Sequence, residues 1–224
     1  MQLEASRGLT FKSIGHPTAG HSGALRPNRY RRWLLLTSNV MPQDLSGIVD
    51  LLASRRKYAS FFEWVDKEGK ELGVAEELVK ALNSGGTLQL SNLVLCNPDP
   101  PDLICQNAQG DLIALEVSEI VCEEAVRLNQ QGQDVYRVWQ PGELQAAIAE
   151  RLARKDKVTL QGGPYHCLYV CLFTDEMMLT HQGACEELSN VVFGPYNQIT
   201  DAFLLFSYQP GTKSYPVVRL RIGA

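Results

Sequence analysis

The chain has 224 residues, 45% of them hydrophobic and 21% charged, which supplies enough apolar material for one sizeable core and excludes a disordered or fibrous chain. Its formal net charge of −4 and pI near 5.6 exclude a general attraction to polyanions, so any nucleic-acid contact has to come from a local basic surface. No stretch approaches the ~20 consecutive apolar residues of a membrane span, so a cytoplasmic protein without membrane contact is expected.

Residues 1–40 carry six Lys/Arg and one acid, Glu4, for a net of +5, which leaves −9 on residues 41–224. This stretch is rich in Gly, Ser, Pro and His and shows no apolar period before Trp33, so it reads as a flexible basic leader. A loose leader without function and a basic arm on nucleic acid both fit it. It also resembles an organelle transit peptide loosely, and it equally fits a start codon chosen upstream of Met41. The part expected to fold is 41–224.

From Leu45 to Leu82 the apolar period is helical, first over Leu45, Ile48, Val49, Leu52 and Ala53, then over Leu72, Ala75, Val79 and Leu82, with Asn83-Ser-Gly-Gly86 as the stop. Residues 88–96 read as a strand, and Asn97-Pro-Asp-Pro-Pro101 forces a turn into a short strand over 102–106. A turn at 107–111 leads into 112–121, apolar almost throughout and therefore expected to lie centrally in a sheet. Residues 123–131 form a short helix or loop. A helix over 143–157 turns Leu144, Ala147, Ile148 and Leu152 inward. A strand over 166–173, a helix within 175–189, and strands 202–208 and 215–222 joined at Gln-Pro-Gly-Thr complete the chain. The order helix, three strands, helix, strand predicts an α/β fold with a mixed central sheet flanked by helices.

The six cysteines contain no C-x-x-C pair and no second pair at zinc-finger spacing, so they are expected to be reduced thiols. The four histidines are scattered, and no phosphate-binding Gly-rich loop occurs. The chemistry lies instead in two acids. Asp102 opens the second strand and Glu116 sits within the third, so a tight hairpin between them lets both carboxylates converge on one edge of the sheet. Hard oxygen ligands of that kind suit a divalent cation that activates a phosphodiester, with the Val117 carbonyl available as a third ligand. A carboxylate inside so apolar a strand is costly to bury without a metal, a cation or good donors.

Pro101-Asp102 and Glu116-Val117-Ser118, placed on these strands, resemble the PD-(D/E)xK nuclease superfamily, whose restriction-endonuclease-like core runs αβββαβ. The resemblance covers roughly residues 68–173. It implies Mg²⁺- or Mn²⁺-dependent hydrolysis of nucleic acid, DNA above all, with Asp102, Glu116 and Val117 as metal ligands. It also implies an accessory acid on the first helix, for which Gly73-Val-Ala-Glu76 offers Glu76, with Glu71 in reserve. Ser118 departs from the pattern, which has lysine there. Some members carry that lysine on the following helix, where Lys155 continues the stripe of Ile148 and Leu152; an inward lysine at a helix C-terminus also complements the helix dipole, so a structural role stands beside the catalytic one. An acidic domain without a DNA-reading module implies a homodimer or a partner subunit for target selection. The alternative is a catalytically degenerate nuclease fold acting as a binding or assembly module.

Overall fold

The computed structural model describes residues 66–86 and 88–223; the basic leader and the helical period at Leu45–Ala53 lie outside the described residues. Helix α1 (Lys67–Ser84) starts at Asp66, whose side chain accepts from the Gly69 amide. Strands β1 (Ser91–Leu95), β2 (Leu103–Gln106) and β3 (Leu112–Glu119) follow, then helices α2 (Glu123–Gln130) and α3 (Glu143–Lys155) and strand β4 (Cys167–Thr174). Helix α4 (His181–Leu188) precedes β5 (Val192–Phe193), β6 (Ile199–Phe206) and β7 (Val217–Ile222). The seven strands form one mixed sheet in the order β1-β2-β3-β4-β6-β7-β5. β1, β2 and β3 are antiparallel neighbours, β3, β4 and β6 are parallel, and β7 turns back antiparallel to β6.

The period of two along the central strands divides the core between the two faces of the sheet. Tyr169, Cys171 and Phe173 of β4 join Leu115 and Val117 of β3 against Val74, Ala75, Leu78 and Leu82 of α1. Leu168, Val170 and Leu172 join Ala114 against Leu144, Ile148 and Leu152 of α3 and Ala184 and Leu188 of α4. β3 is interior, between β2 and β4, as its nearly unbroken apolar run predicts.

The length of one helix, an additional strand and the face of another helix differ from expectation. α4 is shorter than 175–189 because Thr180 caps it, its side chain accepting from the Gly183 amide. β5 has two residues, too few to show a period in the sequence. On α1 the expected Leu72/Ala75/Val79/Leu82 stripe packs on the core, Ala75 and Leu82 buried and Leu72 and Val79 half-buried against it, but the buried face also takes in Glu71, Val74 and Leu78, so it is centred nearer Glu71. All six cysteines are free thiols. Among the described residues no helix is long and apolar enough to cross a membrane.

Candidate metal centre

The β2–β3 hairpin brings the two acids together. Its loop is closed by Asn107, whose side-chain oxygen accepts from the Gln109 and Asp111 amides at 2.9 Å each, and Gly110 takes the positive φ of +87° the turn requires. The register then pairs Gln106 with Leu112 and Leu103 with Leu115, so one more step along β2 sets Asp102 across from Glu116. Period-two alternation puts Glu116 on the same face as Ala114, which packs beside Leu152 of α3. Both acids are buried, their side chains 3% and 2% exposed.

Lys155, three residues after Leu152, reaches this pair from the last turn of α3. Its Nζ donates to Asp102 Oδ2 at 3.3 Å and to Glu116 Oε2. Asp102 Oδ2 also accepts from the Val117 amide at 2.7 Å. The amide and carbonyl of one strand residue face the same edge, so the Val117 carbonyl is turned toward β2 as well. Ser118 lies two residues beyond Glu116, half-buried and paired with Leu172 of β4.

A third carboxylate comes from the proline-rich turn. Asp99, Asp102 and Glu116 each offer an oxygen, and these three atoms lie within 4.8 Å of one another. Two metal–oxygen bonds of ~2.1–2.5 Å span up to about 5 Å, so the three acids can hold a metal ion. The turn is pinned from the far side, where the Gln161 amide donates to the Pro100 carbonyl at 2.8 Å. Among the described residues Glu116 Oε1 is buried without a hydrogen-bond partner. A bare carboxylate oxygen in that position is costly, and a cation removes the cost.

The electrostatics agree with a cation-deficient site. Burial, with Asp102 adding to it, holds the Glu116 carboxyl above its ordinary value of 4.5 despite the Lys155 ammonium. Burial also works against the Lys155 charge, but the carboxylates of Asp102 and Glu116 outweigh it and raise the lysine above 10.5. Glu71 is raised by burial first and by the Asp102 charge second. Counting Glu71, Asp99, Asp102 and Glu116 against Lys67 and Lys155, four carboxylates face two ammonium groups, a formal charge of −2 that one divalent ion balances.

Of the residues expected at the site, Asp102, Glu116, Val117 and Lys155 come together and Glu76 does not. Glu76 is 46% exposed beside Lys80, five residues and about 140° around the helix from Glu71, which is the acid α1 turns toward Asp102. The buried face of α1 extends past the Leu72/Val79 stripe to Val74 and Leu78, which brings Glu71 rather than Glu76 to the site. Asp99 and Lys67 are absent from the expected set. The spacing Asp99-Pro-Pro-Asp102, two acids across rigid prolines, is the one signal in the chain that points to Asp99.

Lys155 is held in turn by its neighbour. Asp156, the C-cap of α3, accepts from the amides of Asn197 (3.0 Å), Gln198 (2.8 Å) and Ile199 (3.3 Å), which ties the helix end to the start of β6. Burial opposes ionisation of this carboxyl, but the amides prevail and lower it below 3.8. A depressed folded-state pKa contributes stability that is present above the unfolded value and is lost as the pH falls through the folded one. Asp156→Ala is therefore expected to cost about 2–3 kcal/mol at neutral pH, read from the urea midpoint, with a gap to wild type that narrows below about pH 4. A gap of equal size at pH 7 and pH 3 contradicts this account.

No family model matches the chain, and neither does any curated protein or solved structure.

Proposed function

We propose that this domain is a divalent-metal-dependent nuclease of the PD-(D/E)xK type, with a restriction-endonuclease-like core formed by α1-β1-β2-β3-α3-β4. Glu116 Oε1, buried and unpartnered beside two further carboxylates, is the observation that carries the proposal. The element order and the antiparallel β1-β2-β3 meander followed by a parallel β4 support the fold assignment.

Asp99, Asp102 and Glu116 would hold the ion, with the Val117 carbonyl facing the same edge. An oxygen-only donor set suits Mg²⁺ or Mn²⁺, which when bound polarises a phosphoryl oxygen and acidifies water. Lys155 donates from a fixed position between Asp102 and Glu116, where its ammonium can orient the attacking water and offset negative charge on the phosphate in the transition state. That role is the one the superfamily assigns to the lysine two residues after the glutamate, and Ser118 cannot fill it because a hydroxyl carries no charge. Val117 fixes Asp102 through its amide, so the carboxylate presents Oδ1 outward. With −9 on residues 41–224, selection of a DNA target falls to a second copy or a partner subunit.

The degenerate-module alternative draws on the same Lys155 contacts, because an ammonium bonded to both acids partly neutralises them without metal. Mn²⁺ titration by calorimetry, with nicking of plasmid DNA and of RNA, separates the two. The wild type is expected to bind Mn²⁺ and to nick, and Asp102→Asn to fall to background in both. Binding without cleavage assigns the degenerate module; absence of binding at millimolar Mn²⁺ removes the metal site.

A further inference from the structure

The acidic cluster holds two lysines, and it holds them differently. Lys155 is 20% exposed and enters from below, at the end of a helix clamped by Asp156. Lys67 enters from outside, as the first residue of α1, with a side chain 65% exposed. Its Nζ lies 3.0 Å from Asp99 Oδ2, 3.3 Å from Glu71 Oε1 and 3.7 Å from Asp102 Oδ1. The two lysines divide Asp102 between them, Lys155 taking Oδ2 and Lys67 facing Oδ1. Two of the three carboxylates able to ligate a metal, Asp99 and Asp102, thus already share an ammonium, while Glu116 Oε1 has no partner among the described residues.

We infer that Lys67 is a tethered competitor for the divalent cation, its ammonium filling the outer side of the carboxylate site in the metal-free protein and leaving when the ion binds. The inference rests on the metal-binding reading of this site and adds the residue that sets its affinity. An entering divalent ion must break the ammonium's contacts with Asp99, Glu71 and Asp102, and modest as each is at an exposed site, together they weaken binding by about tenfold. Lys67 can yield because its contacts are open to solvent, which screens them, and because four carbons of stem let the head swing into water. Lys155 has no such freedom. Once displaced, the Lys67 ammonium stays tethered at the mouth of the site, where a phosphate arrives.

The test uses the full chain, with Mn²⁺ as the probe. Lys67→Met keeps the stem and removes the charge, so it is expected to bind Mn²⁺ about tenfold tighter than wild type by calorimetry. Lys67→Arg keeps the charge and stays near the wild-type value. Thermal unfolding gives the second readout: metal-free Lys67→Met melts lower than wild type, since its acids have lost a counter-charge, and Mn²⁺ raises its Tm by more. A merely structural ion pair would lower the metal-free Tm and leave Mn²⁺ affinity unchanged or weaker, and that result overturns the inference while leaving the metal site standing. If neither wild type nor Lys67→Met binds Mn²⁺, the metal-binding reading and the inference fall together.

Discussion

Lys155→Met is expected to destabilise the metal-free protein by about 3–5 kcal/mol, because it removes the hydrogen-bonded cation from two buried carboxylates, leaving Glu116 without a counter-charge and Asp102 with only the exposed Lys67. The stem of methionine fills the same path over the sheet, so lost packing adds little. The loss should depend on the cluster's charge: combining Lys155→Met with Glu116→Gln should recover much of the stability, since one of the stranded charges is then absent. Saturating Mn²⁺ should also recover part of it, by supplying the missing positive charge to the folded state alone. If the domain is the nuclease proposed, cleavage should fall by a factor of 100 or more even under saturating metal, because the ammonium assigned to offset charge on the phosphate is gone. Denaturant midpoints with and without Mn²⁺ measure the first effect and single-turnover nicking the second. A Lys155→Met protein as stable as wild type without metal would refute the electrostatic account of this site.

On the proposed function, Glu116→Gln is expected to reduce Mn²⁺ affinity by about 100-fold and cleavage by about 1000-fold with a small change in metal-free stability. The amide has nearly the volume of the carboxylate, and its oxygen can still accept from Lys155. It also relieves the site of a charge that burial already disfavours, which offsets the weaker bond to the ammonium. Large functional loss beside small structural loss is the signature of a ligand, whereas a structural ion pair gives the reverse. Calorimetric Mn²⁺ binding and thermal unfolding of the metal-free protein decide between them. A Glu116→Gln protein that binds Mn²⁺ like wild type would exclude Glu116 as a ligand.

Much of the arrangement around these residues is legible in the sequence. Asn107 and Gly110 mark the hairpin, since one closes the loop with its side chain and the other takes a positive φ. Once the turn is known, period two sends Glu116 to the face of Ala114, and the 3.6-residue period of α3 sends Lys155 to the side of Leu152. The first helix was harder. Its apolar residues are few and mixed with charges, and two stripes, one through Leu72 and Val79 and one through Val74 and Leu78, share Ala75 and Leu82. A rotation of a fraction of a turn between them exchanges Glu76 for Glu71. Only the sheet against which α1 packs chooses the stripe.

The distinction extends to the whole site. By itself the sequence determined what local rules determine: the order of the main strands and helices, the tight hairpin at 107–111, and the faces on which Glu116 and Lys155 sit, because turn chemistry and side-chain periodicity act over a few residues. The tertiary structure decided what depends on contacts between distant segments. Asp99 and Lys67 are 32 residues apart in the chain yet hydrogen-bonded at 3.0 Å, and Lys155 and Asp102, also hydrogen-bonded, are separated by 53 residues. Such meetings depend on how two helices and a proline-rich turn settle on one sheet, and no periodicity within any one of them carries that information.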